Sequence, residues 1–334
     1  MIDVLVTAPF PERLMEKITS VSEEIAVSQY ALPDRKWPEE KRTSAEVLYS
    51  LSDVPRLDQA PNLRWVQAHS AGVDWLREHS IWDSDVVITS ASGIHAPNIA
   101  QYVMAQMLAW AQRIPKWFRF QSESKWPKDR WDALLPEELR GKTLGIVGYG
   151  SIGREIARVA TEFGMNVLAT KRDARHLEDT GYRIADTGDA SGELPRRIYP
   201  GEATRSMVSE CDYVVITLPL TEATHHLFDE EMFRTMPSHA FVINIGRGPV
   251  VDERALVRAL KKGWIAGAGL DVFETEPLPT DSPLWQLDNV IISPHVSGFT
   301  PHYDDRATDL FAENLRRYLN GRSLLNVVNR EHGY

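Results

Sequence analysis

Short apolar runs alternate with polar segments of helical length over the first hundred residues. The apolar runs predict five β-strands. They are Ile2–Thr7, Ala26–Gln29, Val47–Ser50, Leu63–Ala68 and Val86–Thr89. Pro11–Ile18 predicts a helix between the first two strands, because proline is tolerated in a first helical turn. Strands that alternate with helices predict a parallel sheet covered on both faces.

A long helical pattern follows, with apolar side chains recurring at helical spacing from Asn98 to Arg113. Pro115 is expected to end this helix. The segment Trp117–Leu135 holds several tryptophans among charged residues and predicts no regular element. Exposed tryptophans in such a segment can mark a partner surface, and half-buried packing is the alternative.

A second alternating series begins at Thr143 and predicts a second set of strands. They are Thr143–Val147, Asn166–Ala169, Tyr213–Leu218, Phe241–Ile245, Gly267–Val272 and Val290–Ile292. Helices are predicted at Ser151–Phe163, Glu253–Lys262 and, near the end of the chain, Tyr303–Leu319. The polar stretch Asp173–Ala203, rich in Gly, Pro and Asp, predicts a loop or extended excursion.

Length and composition limit the classes of protein to which the chain can belong. Its 334 residues are too many for one comfortable core and suit two domains. A formal net charge of -10 argues against nonspecific nucleic-acid binding, because phosphates would be repelled. No apolar run approaches the ~20 residues that cross a bilayer, and the first residues predict a strand rather than a signal peptide. Cys211 is the only cysteine, which excludes an internal disulfide and favours a reducing, cytoplasmic setting.

A glycine-rich turn joins the strand Thr143–Val147 to the helix that follows it. The glycines are Gly148, Gly150 and Gly153. In dinucleotide-binding proteins such glycines allow a tight turn, close approach to the pyrophosphate, and packing of helix on strand. The helix N-terminus, with Ser151 and Ile152 in its first turn, offers N–H groups and a positive dipole end to the phosphates. The position between strand and helix favours dinucleotide binding over a plain structural turn.

The end of the next predicted strand bears on the choice between NAD and NADP. NAD binders usually carry an acidic residue about 20 positions after the glycines, which accepts hydrogen bonds from the ribose hydroxyls. Here Asn166–Ala169 is followed by Thr170, Lys171 and Arg172. The two cations could pair with a 2′-phosphate. NADP(H) is therefore favoured over NAD(H), with solvated surface cations as the alternative.

Three later segments carry polar residues at predicted strand ends, where open parallel sheets bind ligands. They are Asn244–Gly248, Asp271–Pro277 and Ser293–Gly298. A guanidinium recognises a carboxylate with two hydrogen bonds, and carbonyl reduction needs a positioned proton donor. Arg247 and His295 supply these two groups. Each alone would more often be a surface cation or a packed histidine, so only their joint occurrence favours catalysis.

Together these segments resemble the D-isomer-specific 2-hydroxyacid dehydrogenases, a family that includes glyoxylate/hydroxypyruvate reductases. The likeness covers nearly the whole chain and is strongest from Gly141 to Gly298. It rests on the glycine turn, on Pro219-Leu220-Thr221 and on the three polar segments, in their order and spacing. In the first hundred residues, Ser70–Asp74 resembles the substrate loop of the family.

The resemblance implies an oxidoreductase that moves a hydride between NAD(P)H and a small 2-keto or D-2-hydroxy acid. Arg247 would bind the substrate carboxylate, and His295 would act as general acid/base on the 2-keto oxygen. Glu276 would hydrogen-bond the far side of the imidazole and favour its charged form. The substrate loop would add contacts from Ser70, Ala71 and Gly72.

A cofactor site is implied as well. Its residues would be Gly148, Gly150, Ser151, Ile152, Gly153, Lys171, Arg172, Leu218, Pro219, Thr224, Ile245, Asp271 and His295. Asp271 would bind the nicotinamide carboxamide, and Ile245 and Leu218 would line the ring pocket. No metal is expected, because the remaining histidines show no ligand pattern.

The implied architecture is α/β, with a Rossmann dinucleotide-binding domain and a flavodoxin-like substrate domain that both contain parallel sheets. Residues 1–98 and 300–334 would form the discontinuous substrate domain, and 99–299 the NAD(P)-binding domain. The chain would cross between them twice, with the active site in the intervening cleft. By analogy, the long helix and the Trp117–Trp131 segment would form a homodimer interface.

Departures from the family pattern narrow the chemistry. Formate dehydrogenases of this superfamily carry Gln where this chain has Glu276, and phosphite dehydrogenases carry Lys where it has Ser70. The alternative function is a nucleotide-sensing binding protein, like the C-terminal-binding-protein corepressors on the same fold. Those proteins keep the Arg, Glu and His, but this chain lacks a long disordered tail. The sequence does not identify the 2-keto acid.

Overall fold

The computed structural model describes residues 1–31 and 37–333. The chain forms two compact units. The first comprises Met1–Ile94, Thr180–Ile184 and Thr300–Tyr334, and the second comprises His95–Asp179 and Ala185–Phe299. The chain thus passes between the units four times, where the sequence predicts two crossings. The additional pair flanks residues 180–184, a short part of the predicted 173–203 excursion.

The first unit contains a five-stranded sheet. Its strands are β1 (Ile2–Val6), β2 (Ile25–Gln29), β3 (Val47–Ser50), β4 (Trp65–Ala68) and β5 (Val87–Thr89). The order is β2-β1-β3-β4-β5 and every pairing is parallel, which is the flavodoxin-like arrangement. The helices α1 (Glu12–Thr19) and α2 (Glu39–Ser44) follow β1 and β2.

Burial on both faces explains the near-continuous apolar strands of this unit. All four residues of β3 and of β4 are buried, as expected for a parallel sheet covered by helices. Leu14 and Ile18 of α1 pack on one face, together with Phe311 and Leu315 from the last helix of the chain. Pro11 lies just before α1, in agreement with the predicted helix start.

The second unit contains a seven-stranded sheet. Its strands are β6 (Thr143–Val147), β7 (Asn166–Lys171), β8 (Arg197–Pro200), β9 (Tyr213–Ile216), β10 (Phe241–Asn244), β11 (Gly267–Leu270) and β12 (Val290–Ile292). Their order is β12-β11-β10-β9-β6-β7-β8, with every pairing parallel. The strand order reverses between β6 and β9, and ligands of doubly wound sheets bind at the strand carboxyl ends beside such a reversal.

Helices pack on both faces of the second sheet. They are α3 (Ala96–Ala111), α6 (Ser151–Glu162), α7 (Thr204–Val208), α8 (Glu230–Thr235) and α9 (Glu253–Lys262). The short helices α4 (Ile114–Ser122) and α5 (Arg130–Ala133) follow α3 and have no buried residues, and α10 (Tyr303–Leu319) belongs to the first unit. The predicted fold class, with a Rossmann sheet and a flavodoxin-like sheet, is confirmed. Each predicted strand is present, with ends that differ by at most two residues from those expected.

One sequence prediction about the second unit is wrong. Pro115 does not end the long helix, because α3 ends at Ala111 and Pro115 lies in the first turn of α4, where its missing N–H is not needed. The predicted loop or extended excursion at 173–203 is irregular over most of its length and contains the short strand β8 near its end. This strand pairs only with β7 at the edge of the sheet, so its residues are half exposed and lack the apolar signature of the inner strands.

The excursion before β8 is bound tightly to the helix that follows the glycine turn. Arg154 of α6 is 1% exposed and donates hydrogen bonds to the carbonyls of Leu177 and Asp189. The Tyr149 hydroxyl donates to Asp189 Oδ2 at 2.6 Å, and the Leu194 N–H donates to the same carboxylate at 3.0 Å. A buried guanidinium is costly unless its donors are satisfied, so these carbonyls fix the path of the excursion.

In the described part of the chain, no helix has the length and hydropathy needed to cross a bilayer.

Candidate active site

The glycine turn after β6 is shaped by contacts that leave no room for side chains at two positions. Gly148 has φ of 108°, and a Cβ there would lie 2.7 Å from Thr217 Oγ1. A Cβ at Gly153 would lie 2.5 Å from the Gly148 carbonyl oxygen. The Thr217 hydroxyl donates to that same oxygen at 2.6 Å, which fixes the turn against β9. Gly148 therefore makes the tight turn, and Gly153 allows α6 to pack on it.

Gly150 differs from the other two glycines because it faces open space. A Cβ at Gly150 would meet no atom of the described chain within 4 Å. It lies directly before α6, whose first turn carries Ser151 and Ile152 and whose first N–H groups have no intrahelical partner. A pyrophosphate can therefore approach the backbone here, at the positive end of the helix dipole. This geometry fits a bound dinucleotide.

The residues that end β7 do not have equivalent surroundings. The Thr170 carbonyl accepts from Tyr149 N–H at 2.8 Å and so joins the glycine turn to β7. The Lys171 ammonium is half-buried and donates to the His176 carbonyl. Burial and then the nearby Arg154 guanidinium lower the pKa of Lys171. Arg172 is exposed at the next position. The structure thus separates the two cations that the sequence treats as a pair.

A turn after β9 lies against the Arg247 segment. Thr224 Oγ1 donates to the Pro219 carbonyl at 2.7 Å and accepts from Thr221 N–H at 2.8 Å, which closes the turn. A Cβ at Gly246 would lie 2.5 Å from the carbonyl oxygen of Leu218. Leu218, Pro219 and Thr224 are therefore held at the strand ends next to the reversal of strand order, and Ile245 is buried beside them.

His295 and Glu276 are in direct contact. His295 Nδ1 lies 2.7 Å from Glu276 Oε2, and the other carboxylate oxygen accepts from the Phe273 N–H at 3.0 Å. Because an ionised carboxylate only accepts, His295 Nδ1 carries the proton in this pair. The opposite ring nitrogen, Nε2, lies outside this hydrogen bond. The His295 side chain is 50% exposed and that of Glu276 is 35% exposed.

The backbone at His295 adopts a conformation that a non-glycine residue seldom takes. Its φ is 53°, in the left-handed region, which costs about 1–2 kcal/mol for an L-residue. Its N–H donates to the Asp271 carbonyl at 2.8 Å and to the Ser293 carbonyl at 3.1 Å. Outliers of this kind cluster at functional sites, where the surrounding structure holds them in place.

Asp271 holds the loop that carries His295. Its carboxylate is fully buried and accepts from Ser293 Oγ at 2.6 Å and from the N–H groups of Val296 and Ser297 at 2.9 Å each. The sequence predicts that Asp271 binds the nicotinamide carboxamide and gives no sign of this internal task. Its position directly after β11 is the one signal that was available.

Arg247 lies in a turn that is held by the side chain of Asn244. The Asn244 side chain accepts from Gly246 N–H at 3.1 Å and donates to the Arg247 carbonyl at 3.1 Å. A Cβ at Gly248 would lie 1.8 Å from the carbonyl oxygen of Phe273, the residue whose N–H holds Glu276. The Arg247 turn thus packs directly on the Glu276 loop. Asn244 opens the same motif as Arg247, which is how it could have been found.

The predicted substrate loop lies in the first unit and is also internally bonded. Ser70 Oγ donates to the Gly72 carbonyl at 2.6 Å. The preceding residue, His69, is clamped, because its Nδ1 lies 2.7 Å from the Tyr49 hydroxyl and its carbonyl accepts from Tyr303 at 2.9 Å. Burial lowers the pKa of His69, which favours the neutral form of this packed ring. Ala71 lies between the two bonded residues of the loop.

Among residues 1–31 and 37–333, no group of three or more His, Cys, Asp or Glu side chains could hold a metal ion. Within the second unit, the candidate site consists of the His295–Glu276 pair, Arg247 on the neighbouring strand end, and the glycine turn.

Comparison with known proteins identifies the family. The model of the "D-isomer specific 2-hydroxyacid dehydrogenase, NAD binding domain" matches residues 104–297. The chain belongs to the D-isomer-specific 2-hydroxyacid dehydrogenase family. The second unit, which contains the matched region apart from residues 180–184, is accordingly a nicotinamide dinucleotide-binding domain, and the resemblance read from the sequence is confirmed.

Individual members of the family match over nearly their whole length. A glyoxylate reductase of Korarchaeum cryptofilum is 36% identical over 334 residues, 98% of this chain and 96% of that protein. The crystal structure of a D-isomer specific 2-hydroxyacid dehydrogenase from Xanthobacter autotrophicus, in complex with NADPH and MES, is 29% identical with a TM-score of 0.81. It covers 100% of this chain and 99% of that one. A family member from Aeromonas salmonicida, also 29% identical, has a TM-score of 0.80 over 98% of this chain and 99% of that one.

Proposed function

We propose that this dehydrogenase uses NADPH to reduce a small 2-keto acid, such as glyoxylate or hydroxypyruvate, to the D-2-hydroxy acid. The observation that carries the proposal is the His295–Glu276 pair, whose Nδ1–Oε2 distance is 2.7 Å, on the same sheet as an open glycine turn. The 36% identical relative named glyoxylate reductase supports the substrate class. The cytoplasm remains the proposed location, because the chain has a single cysteine.

The proposed chemistry divides the work between a proton donor and its partner. When bound, the reduced nicotinamide supplies the hydride that reaches C2 of the keto acid. Protonated His295 gives its Nε2 proton to the carbonyl oxygen, and the reverse reaction returns that proton. Glu276 keeps Nδ1 protonated and orients the ring, and it stabilises the imidazolium while the proton is held. No metal is needed to neutralise the developing alkoxide.

Carboxylate recognition falls to Arg247 in this proposal. Its guanidinium provides two parallel N–H donors to the substrate carboxylate and an attraction to the 2-keto oxygen. Asn244 and Gly248 hold the turn that presents it. On the family resemblance, the loop residues Ser70, Ala71 and Gly72 contribute further contacts to the substrate.

The cofactor residues of the proposal are those at the strand ends of the second unit. They are Gly148, Gly150, Ser151, Ile152, Gly153, Lys171, Arg172, Leu218, Pro219, Thr224, Ile245 and Asp271, with His295 at the nicotinamide. Asp271 belongs to this set on the family resemblance, which implies a contact with the carboxamide, and its carboxylate also binds the His295 loop.

A substrate panel with both cofactors tests the function. We expect NADPH oxidation with glyoxylate and hydroxypyruvate, and slower oxidation with a branched 2-keto acid. The measurement is the loss of NADPH absorbance under steady-state conditions, with NADH run in parallel. Tight NADPH binding without turnover on any 2-keto acid would instead support the nucleotide-sensing alternative.

Cofactor preference is expected to depend on Arg172. Its side chain is exposed directly after β7, where a guanidinium could pair with a 2′-phosphate. Arg172→Ala should therefore raise the KM for NADPH about 10–100-fold, the loss of one or two charge-assisted hydrogen bonds, and change the KM for NADH by less than about 3-fold. The matched control is Arg175→Ala, since Arg175 is also exposed on the same segment. Equal effects of Arg172→Ala on the KM values of the two cofactors would mean that Arg172 does not recognise the 2′-phosphate.

A homodimer is part of the proposal, with the long helix α3 and the arm, defined as Trp117–Trp131, at its interface. Trp126 is 82% exposed and Trp131 is 74% exposed, and such large aromatic side chains are enriched at protein interfaces. Arg119 of α4 is fixed to the Asp288 carboxylate at 2.6 Å, so this helix is held on the second unit.

Charge placed on the arm should weaken the dimer. We expect Trp131→Asp to shift the protein towards monomer in sedimentation-velocity runs at micromolar concentration. Trp285→Asp is the control, because Trp285 is an exposed tryptophan outside the arm. A Trp131→Asp protein that sediments like wild type would remove the arm from the interface.

A further inference from the structure

Two residues outside the proposed catalytic set form a hydrogen-bonded chain that reaches the His295 loop. Tyr102 and Gln106 are one helical turn apart on α3, so their side chains share a face. Gln106 Nε2 donates to the Tyr102 hydroxyl at 2.8 Å. That hydroxyl lies 2.5 Å from Ser293 Oγ, and Ser293 Oγ donates to Asp271 Oδ1 at 2.6 Å.

The Asp271 carboxylate at the end of this hydrogen-bonded series fixes the direction of every hydrogen bond in it. The Asp271 carboxylate can only accept, so the Ser293 hydroxyl uses its proton there and must accept from Tyr102. Burial raises the pKa of Tyr102, which keeps its hydroxyl protonated and able to donate. The Gln106 amide then supplies the bond that the tyrosine oxygen accepts. All the donors therefore point towards one buried carboxylate.

Asp271 transmits this arrangement to His295. Its carboxylate binds the N–H groups of Val296 and Ser297, and its carbonyl binds the N–H of His295 itself. His295 has a φ of 53°, which its neighbours must maintain. Without the Ser293 proton, the carboxylate oxygen that also binds Val296 N–H loses one of its two partners and is less constrained in orientation.

We propose that Tyr102 and Ser293 are positioning residues that hold His295 in its left-handed conformation through Asp271. This inference rests on the proposed function of His295 as general acid/base. Neither hydroxyl is assigned a contact with substrate or cofactor, so we expect the larger effect on the rate of the chemical step rather than on binding.

Kinetics of Tyr102→Phe and Ser293→Ala in the full-length enzyme test the inference. We expect kcat with NADPH and glyoxylate to fall about 10-fold in each variant, the loss that one hydrogen bond commonly carries, with both KM values within about 2-fold of wild type. Ser293→Thr, which keeps the hydroxyl, should recover most of the rate. Tyr199→Phe is the matched control, because Tyr199 is a buried tyrosine of the same unit whose hydroxyl binds Glu210 instead.

A double-mutant cycle separates positioning from a general loss of structure. In a His295→Ala background, Tyr102→Phe should leave the residual rate unchanged, because there is no imidazole left to position. A further decrease by the same factor would mean that Tyr102 acts on the fold or on another group, and would overturn the inference. Wild-type kcat in Tyr102→Phe and Ser293→Ala would overturn it as well.

Hydrogen exchange keeps the inference testable if the proposed function fails. The amides of Val296 and Ser297 donate to Asp271, so a peptide spanning residues 293–299 should exchange faster in Tyr102→Phe and Ser293→Ala than in wild type or Tyr199→Phe. If the protein showed no turnover but exchange increased in these variants, the proposed function would fail and the inferred role of Tyr102 and Ser293 in holding the His295 loop would stand. Unchanged exchange in both variants would contradict that role whatever the activity.

Discussion

His295→Ala is expected to lower kcat for 2-keto acid reduction by about 10³-fold, within the range for loss of a general acid. Glu276 already holds Nδ1 at 2.7 Å, so the wild-type ring is oriented before substrate arrives, and the variant lacks both proton and orientation. The dissociation constant of NADPH should stay within about 3-fold of wild type, since we propose that its phosphates bind at the glycine turn and not at His295. Steady-state rates and NADPH fluorescence titration measure the two quantities.

A control variant distinguishes loss of the acid from loss of any histidine. His239→Ala removes a side chain that pairs with Asp212 on the surface, 3.0 Å away, and should keep the wild-type kcat. If His295→Ala turned over at the wild-type rate, His295 would have no part in proton transfer. The proposed mechanism would then fail at its first step.

Arg247→Ala is expected to lower kcat/KM for glyoxylate by about 10²–10⁴-fold, corresponding to two charge-assisted hydrogen bonds of roughly 1.5–3 kcal/mol each. Arg247→Lys should recover only part of this loss, because an ammonium keeps the charge but cannot form the parallel pair. The KM for NADPH should change little in either variant. Initial rates over a range of glyoxylate concentrations give these values.

Arg254→Ala serves as the control for the second experiment. Arg254 lies on the exposed face of α9, a few residues along the same segment, and its removal should leave kcat/KM unchanged. An Arg247→Ala enzyme with the wild-type kcat/KM would show that another group binds the carboxylate. The proposed recognition of a 2-keto acid through Arg247 would then be wrong.

The sequence predicted those parts of the fold that follow from local patterns. Inner strands such as β9 and β10 are buried on both faces, so their apolar runs stand out in the sequence. The edge strand β8 pairs on one side only, and its half-exposed residues gave no such signal. The start of α4 was missed because Pro115 was read as a stop, although proline suits a first turn equally well.

The candidate site was predictable where chemistry depends on residue type and order. Arg247, Glu276 and His295 stand at three strand ends, and their side-chain chemistry suggested roles before any geometry was known. Tyr102 and Ser293 were not predicted, because a hydrogen bond between residues 191 positions apart leaves no trace in local sequence. Asp271 was predicted as a cofactor residue, but its hydrogen bonds to Val296 and Ser297 were not, because they depend on how the loop after β12 folds back.

The burial of Arg154 limits how the cofactor specificity of this enzyme can be re-engineered. Its guanidinium donates hydrogen bonds to the carbonyls of Leu177 and Asp189. The segment that carries these carbonyls therefore stabilises a buried charge and is not a dispensable insertion. Replacing the segment after β7 by one that lacks these carbonyls would take two hydrogen-bond acceptors from the Arg154 guanidinium. A chimera should therefore exchange this segment together with the glycine turn and α6, which carries Arg154. The alternative is to replace Arg154 by an uncharged residue of similar volume.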